Sequence, residues 1–379
     1  MGRFVIALLV TGCGRIAFDP LDDVPLGDFA LTSHGTHTCA LFETGELYCW
    51  GSNMFGQLGE GAGAFEPLPR RIPNVPAFDQ IALAEYSTFA RSRDGQLWAW
   101  GGNADAMLGI GTETDIEPPH AIAIADVEQV AASQYFTCAR HGDGTVSCWG
   151  DNACGHLGDG TFTNQLVPQR VPNLSGVTSI GVHDIMACAL TMTGELYCWG
   201  AQLEGACPAP LPTPTLMPLP PIGEVEGGCH ITLCAVGLDG AVWCRGENDQ
   251  GQLGNGTMIE SDVFVPVDFG ASPPQIIDIA VGSYHVCART VDHRVWCWGD
   301  NLYGSLGIAD PATRRSMVPL QVPFFDGSIA IDDFDAGCGQ ICVRSGRDVF
   351  CWGLNGRGQL GDGTLDNQFA PVRIDLNPQ

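Results

Sequence analysis

The sequence predicts an all-β chain folded as a single seven-bladed β-propeller of four-stranded blades. Three observations carry that prediction. A glycine that closes a Trp-Gly or Arg-Gly pair falls at Gly51, Gly101, Gly150, Gly200, Gly246, Gly299 and Gly353. The period is therefore about 50 residues, a spacing that marks propellers, solenoids and arrays. Each period also carries four short apolar runs, the strand content of one blade. Finally, the chain holds 50 Gly and 25 Pro, which suits short strands joined by many turns. No apolar run approaches the roughly 18–20 residues of a spanning helix.

The elements of the period follow in order. A first apolar run precedes a hairpin, as in Gln129-Val130-Ala131 and Ile277-Asp278-Ile279-Ala280-Val281. The hairpin pairs runs such as Thr38-Cys39-Ala40-Leu41 and Leu47-Tyr48-Cys49-Trp50 across a Gly turn (Thr44-Gly45, Asp94-Gly95, Asp143-Gly144, Asp239-Gly240); such alternation bounded by turn residues is the hairpin signal. A GxLG turn comes next, and a fourth run follows it (Arg70-Arg71-Ile72, Gln169-Arg170-Val171, Pro371-Val372-Arg373-Ile374). One blade cannot bury both of its faces, so stacking around a ring has to supply the core.

Residues 1–13 read as an export signal, with Arg3 as its charged start and Phe4 to Thr11 as its apolar core. Val10-Thr11-Gly12-Cys13 resembles the lipobox of bacterial lipoproteins, which implies acylation of Cys13. By the same resemblance, Gly14 favours the outer membrane or cell surface; a secreted or periplasmic protein is the alternative. Residues 14–27 would form a tether and residues 28–379 the propeller.

Cysteine spacing points the same way. Of 17 cysteines, twelve face each other in six hairpins: Cys39–Cys49, Cys138–Cys148, Cys188–Cys198, Cys234–Cys244, Cys287–Cys297 and Cys342–Cys351. Facing positions in a short hairpin suit disulfide geometry. The second repeat loses both members together, as Phe89 and Ala99. A structural zinc site would instead favour Cys pairs two to four apart. Each bridge closes a short loop and contributes about 2–3 kcal/mol in the chain-entropy model. Such a set belongs in an oxidising compartment. Cys154 and Cys207 sit in turns of neighbouring blades and are candidates for a bridge between blades. Cys229 and Cys338 occupy nearly the same repeat position near the channel, either bridged or as two buried thiols.

The pattern HTCAL-x4-G-x-x-x-CWG-x-N-x-x-GQLG closely resembles the repeat of the regulator of chromosome condensation family, over residues 28–379. The resemblance implies a seven-bladed propeller. It also offers two activities: nucleotide exchange on a small GTPase, as in the eukaryotic namesake, or binding through one propeller face, as in an exported bacterial member. The export features favour a bacterial, disulfide-rich lipoprotein of the cell envelope.

The net charge of −26 argues against nucleic acid, which needs a basic footprint. A membrane would be touched only through the lipid anchor. The nine His are scattered, and no catalytic, metal or cofactor motif appears. The expectation is a monomeric, non-catalytic protein-binding or scaffold module without cofactor, with a hydrolase or lyase at the channel mouth as the weaker alternative. Trp50, Trp100, Trp149, Trp199, Trp298 and Trp352 read as packing between blades, with Arg245 breaking the series. The Asn two residues after the repeat Gly, as in Asn53 and Asn152, reads as a turn former, with Gln202 in its place in the fourth copy. Residues 201–222, with seven prolines, read as a stiff loop in place of a turn and edge strand, or as a partner-binding segment. One repeat position looks like surface chemistry. Three residues before the first hairpin Cys stand Thr36, Tyr86, Tyr135, Ile185, Ile231, Tyr284 and Gly339. In a ring these positions form a circle, and Tyr86, Tyr135, Tyr284, Ile185 and Ile231 are the candidate partner-binding residues. Packing of strand ends is the competing explanation.

Overall fold

A computed structural model describes residues 11–12, 15–16, 29–59, 63–114, 116–201, 207 and 210–376. Cys13 and most of the signal and tether segments lie outside the described residues. Seven four-stranded antiparallel sheets stand in a ring, each built from four consecutive strands. The first blade comprises Phe29–His34, His37–Phe42, Leu47–Ser52 and Phe65–Arg71. The last comprises Asp333–Ala336, Gln340–Ser345, Asp348–Gly353 and Gln368–Ile374. In each blade the first strand lines the axis and the fourth forms the rim.

The ring is locked by a device repeated at six seams. The six tryptophans are fully buried. Each indole N–H donates to a backbone carbonyl in the GxLG turn of the preceding blade (AMLG in the second blade): Trp100 to Gln57, Trp149 to Met107, Trp199 to His156, Trp298 to Gln252 and Trp352 to Ser305, at 2.8–3.0 Å. Trp50 closes the circle by donating to Gln359 of the last blade (3.0 Å). The last Gly of each turn lies against the indole. A Cβ on Gly361 would stand 2.6 Å from Trp50 Nε1, and its φ of +77° favours glycine as well. At the seventh seam both halves change together: Arg245 replaces the Trp in the fifth blade, and the fourth blade has no GxLG. The Asn of each turn acts as its sequence suggests. Asn53 Oδ1 accepts the Leu58 N–H (3.0 Å), and Asn355 Oδ1 the Leu360 N–H (3.0 Å).

All sixteen cysteines after Cys13 are paired. The six hairpin bridges join directly opposed residues with Cα atoms 4.0–4.2 Å apart, the close kind of antiparallel pair. Cys154–Cys207 ties the third blade to the fourth, and Cys229–Cys338 the fifth to the seventh, at Cα separations of 5.5 and 5.4 Å.

The proline-rich run differs from the sequence expectation. It does not replace the edge strand but supplies it, as Leu211–Leu216. Pro212 and Pro214 alternate, so the missing N–H groups fall on one edge while the other edge pairs with the blade. Every rim strand carries a proline, for example Pro67, Pro118, Pro168, Pro266, Pro319 and Pro371, which blunts seven exposed edges against pairing with other chains.

Candidate functional site

Strand direction alternates within a blade. The turns between first and second strands therefore share a face with the loops between third and fourth strands. This face surrounds one mouth of the channel, and its geometry follows from the turn length. In six blades four residues separate equivalent paired residues of the first and second strands, as between Leu83 and Thr88 or Val281 and Val286; in the first and fourth blades the outer two of these four also pair, His34 with His37 and His183 with Met186. The second residue of each turn forms an inner circle and the third an outer one. The inner circle reads Gly35, Glu85, Gln134, Asp184, Ser283 and Cys338; the outer reads Thr36, Tyr86, Tyr135, Ile185, Tyr284 and Gly339.

The fifth blade has one residue more, between Gly227 and Leu233. Cys229 takes the inner place and His230 the outer one. Ile231, expected on the surface by counting back from Cys234, is only 2% exposed and is removed from the candidate set. His230 was missed, and the signal was the extra residue in that turn. Cys229 and Cys338 share the inner position two blades apart, and their bridge passes over the sixth blade, where the Ser283 N–H donates to the Cys338 carbonyl (3.1 Å).

The outer circle is a connected surface. Tyr135 and Tyr284 are 38% and 36% exposed, while Tyr86 and Ile185 are half-buried. Phe55 packs on Tyr86 with ring centroids 4.6 Å apart. The His230 ring stacks on Tyr284 at 4.9 Å and lies 4.0 Å from Asp184. Gln134 donates to Asp184 (2.8 Å). Burial pushes the Tyr86 hydroxyl well above the usual phenol range, with its hydrogen bond to Glu85 adding to the effect. Burial also raises the Glu85 carboxyl.

The histidines of the channel are structural. Burial lowers His34 and His285 to about 4, and His37 and His183 to about 3, so all four are neutral imidazoles near pH 7. His37 Nε2 lies 3.1 Å from Thr88 Oγ1 of the next blade. Among the described residues, no three His, Cys, Asp or Glu side chains come together to hold a metal ion. None of the described helices is long and apolar enough to cross a membrane.

Comparison with known proteins fits this architecture. A family model described as the regulator of chromosome condensation (RCC1) repeat matches residues 44–91, 94–140, 143–190, 239–289, 292–343 and 348–379. Among curated proteins, the chain is 28% identical over 361 residues to the ultraviolet-B receptor UVR8 of Arabidopsis thaliana, covering 90% of this chain and 69% of that receptor. It is 34% identical over 358 residues to the probable E3 ubiquitin-protein ligase HERC4 of Homo sapiens; the match covers 87% of this chain but 32% of that protein. Among solved structures, human WBSCR16 superposes with a TM-score of 0.75 at 22% identity, over 87% of this chain and 94% of that one. Prp20p of Saccharomyces cerevisiae gives 0.76 at 20% identity, over 92% and 87%. At these identities the two structures speak for the fold alone.

Proposed function

The chain belongs to the RCC1 repeat family, and from that premise we propose that it is an exported, lipid-anchored binding module of a bacterial cell envelope. It holds a protein partner against the face that carries the outer circle of turns. The observation that carries this reading is the exposure of Tyr135 and Tyr284 on a connected surface with Tyr86 and Phe55. Large aromatic side chains left in solvent around one mouth suit a hot-spot patch. Eight disulfides support an oxidising, extracytoplasmic setting. The anchor rests on the resemblance of Val10 to Cys13 to a lipobox.

Crosslinking in intact envelopes tests both halves. The protein is expected to capture a partner, and Tyr86→Ala, Tyr135→Ala and Tyr284→Ala together are expected to abolish the adduct. An adduct indifferent to the three changes would overturn the binding face. Cys13→Ala is expected to leave the protein unacylated and soluble; retention in the membrane fraction would overturn the anchor.

A further inference from the structure

Three blades repeat one turn just after the GxLG segment, and one copy differs from the other two by a single side-chain group. The turns read Asp159-Gly160-Thr161, Asn255-Gly256-Thr257 and Asp362-Gly363-Thr364. Their glycines have φ of +84°, +78° and +80°, one conformation in all three. In each turn one side-chain oxygen of the first residue collects three donors. Asp159 Oδ1 accepts the Thr161 N–H (2.8 Å), the Thr161 hydroxyl (2.8 Å) and Asn152 Nδ2 (3.2 Å). Asp362 Oδ1 accepts the same groups of Thr364 and Asn355 at 2.9, 2.8 and 3.0 Å. Asn255 Oδ1 accepts those of Thr257 and Asn248 at 3.1, 2.8 and 3.4 Å. The site suits an oxygen that only accepts, and a carboxylate holds such donors more strongly than an amide does.

Asn255 brings an amide to this carboxylate position. Among the described residues its Nδ2 has no hydrogen-bond partner, and Gly256 and Thr257 beside it are exposed. The three donors on Oδ1 draw charge from Cγ, as donors do wherever negative charge builds on an acyl oxygen. Gly256 has no Cβ to shield its backbone nitrogen from Cγ. That nitrogen donates its hydrogen to the Met317 carbonyl of the next blade (2.9 Å). This one bond has to open before the nitrogen can react, which slows attack without preventing it. The chain has one other Asn-Gly pair, Asn355-Gly356, and there the amide is held. Asn355 is buried. Its Nδ2 donates to Asp362 Oδ1 (3.0 Å) and to the Thr364 carbonyl (3.1 Å), and its Oδ1 accepts the Leu360 N–H (3.0 Å).

We infer that Asn255 is a site of spontaneous deamidation, which converts the turn of the fifth blade to the Asp-Gly-Thr form of the third and seventh. The Gly256 nitrogen bonds to Asn255 Cγ and passes its proton through solvent to the departing group. The Cγ–Nδ2 bond breaks and Nδ2 leaves as ammonia, which closes a five-membered imide. Water then adds to one of the two imide carbonyls. Breaking the new N–Cγ bond leaves an aspartate at position 255 in an ordinary peptide linkage; breaking the original peptide bond leaves an isoaspartyl linkage. One water is consumed and one ammonia released. The aspartate product restores the three-donor arrangement of the other two turns and adds one negative charge to this loop.

Ageing the full-length protein in mildly alkaline buffer, followed by peptide mapping in a mass spectrometer, tests the inference. A synthetic peptide of residues 253–259 gives the rate of the same chemistry without the fold. Amide is expected to become acid at position 255, and at least about tenfold more slowly at position 355. No loss of the Asn255 amide by the time the peptide has converted completely would show that the fold blocks attack. Equal rates at 255 and 355 would assign the chemistry to unfolded chain. Either result overturns the inference. Asn255→Asp supplies a second measurement. Its unfolding midpoint in denaturant is expected at or above that of the unaltered protein, because the turn gains the carboxylate it suits. A lower midpoint would overturn the reading of this turn as a carboxylate site.

Discussion

Single buried ionisable groups set how this ring responds to pH. The last blade meets the first through two carboxylates: Asp333 accepts the Leu31 N–H (3.0 Å), and Asp335 accepts the Ser33 N–H (2.8 Å) and the Thr32 hydroxyl (2.9 Å). Burial raises both, and Asp335 stands at about 8 despite those donors. A carboxyl whose folded pKa lies above its unfolded value of 3.8 favours the fold at low pH. That advantage is lost as pH rises toward 8. The buried imidazoles work in the opposite sense. Their folded pKa values lie below 6.5, so their contribution is full above that pH and is lost as pH falls through about 4 for His34 and His285 and about 3 for His37 and His183. Asp335→Asn keeps an acceptor for Ser33 without the charge. Thermal unfolding across pH should therefore show the variant gaining on the unaltered protein between about pH 4 and 8 and holding a constant lead above. A pH-independent difference would contradict the seam's titration. This chemistry was not legible in the sequence. Asp335 differs from Ala82, Ala131 and Ala280 at the same register, but only the closed ring brings it to Ser33. Tyr86, Tyr135 and Tyr284 were legible as a circle because repeats of equal turn length carry register. Ile231 misled because its turn is one residue longer.

At the scale of the element, the unit of stability is the Trp of one blade set into the GxLG turn of the previous one. The sequence announced each half, as a packing tryptophan and as a tight turn. It did not announce that they belong together, because the partners lie 42–47 residues apart within the chain and 309 apart at the closure. Their joint loss at Arg245 and in the fourth blade is the one trace of that pairing in the sequence. Gly361→Ala should lower the unfolding free energy by about 2 kcal/mol or more, since the new Cβ meets the Trp50 indole at a left-handed backbone position. Gly356→Ala, five residues earlier with no atom within 4 Å of the new Cβ and no positive φ, should be near neutral. Similar midpoints for the two variants in chemical denaturation would contradict the lock. The proline-rich run shows the other limit of reading elements from sequence. Seven prolines suggested a loop, yet alternation places proline where a rim strand has no partner to lose.

For the whole molecule, closure involves no exchanged strand: the first blade is wholly N-terminal and the last wholly C-terminal. Side chains do the work instead, through Asp333 and Asp335 on the first strand and Trp50 on Gln359. The number and composition of blades were readable from the repeat, because every blade solves the same packing problem. Binding through one face only is tested by site-specific photocrosslinking in intact envelopes. A photoreactive residue would be placed at Tyr135 on the mouth face and, in a second protein, at Met192, 78% exposed on a hairpin turn of the opposite face. A discrete adduct is expected from position 135 and none from position 192; adducts from both positions, or from 192 alone, would contradict binding through one face.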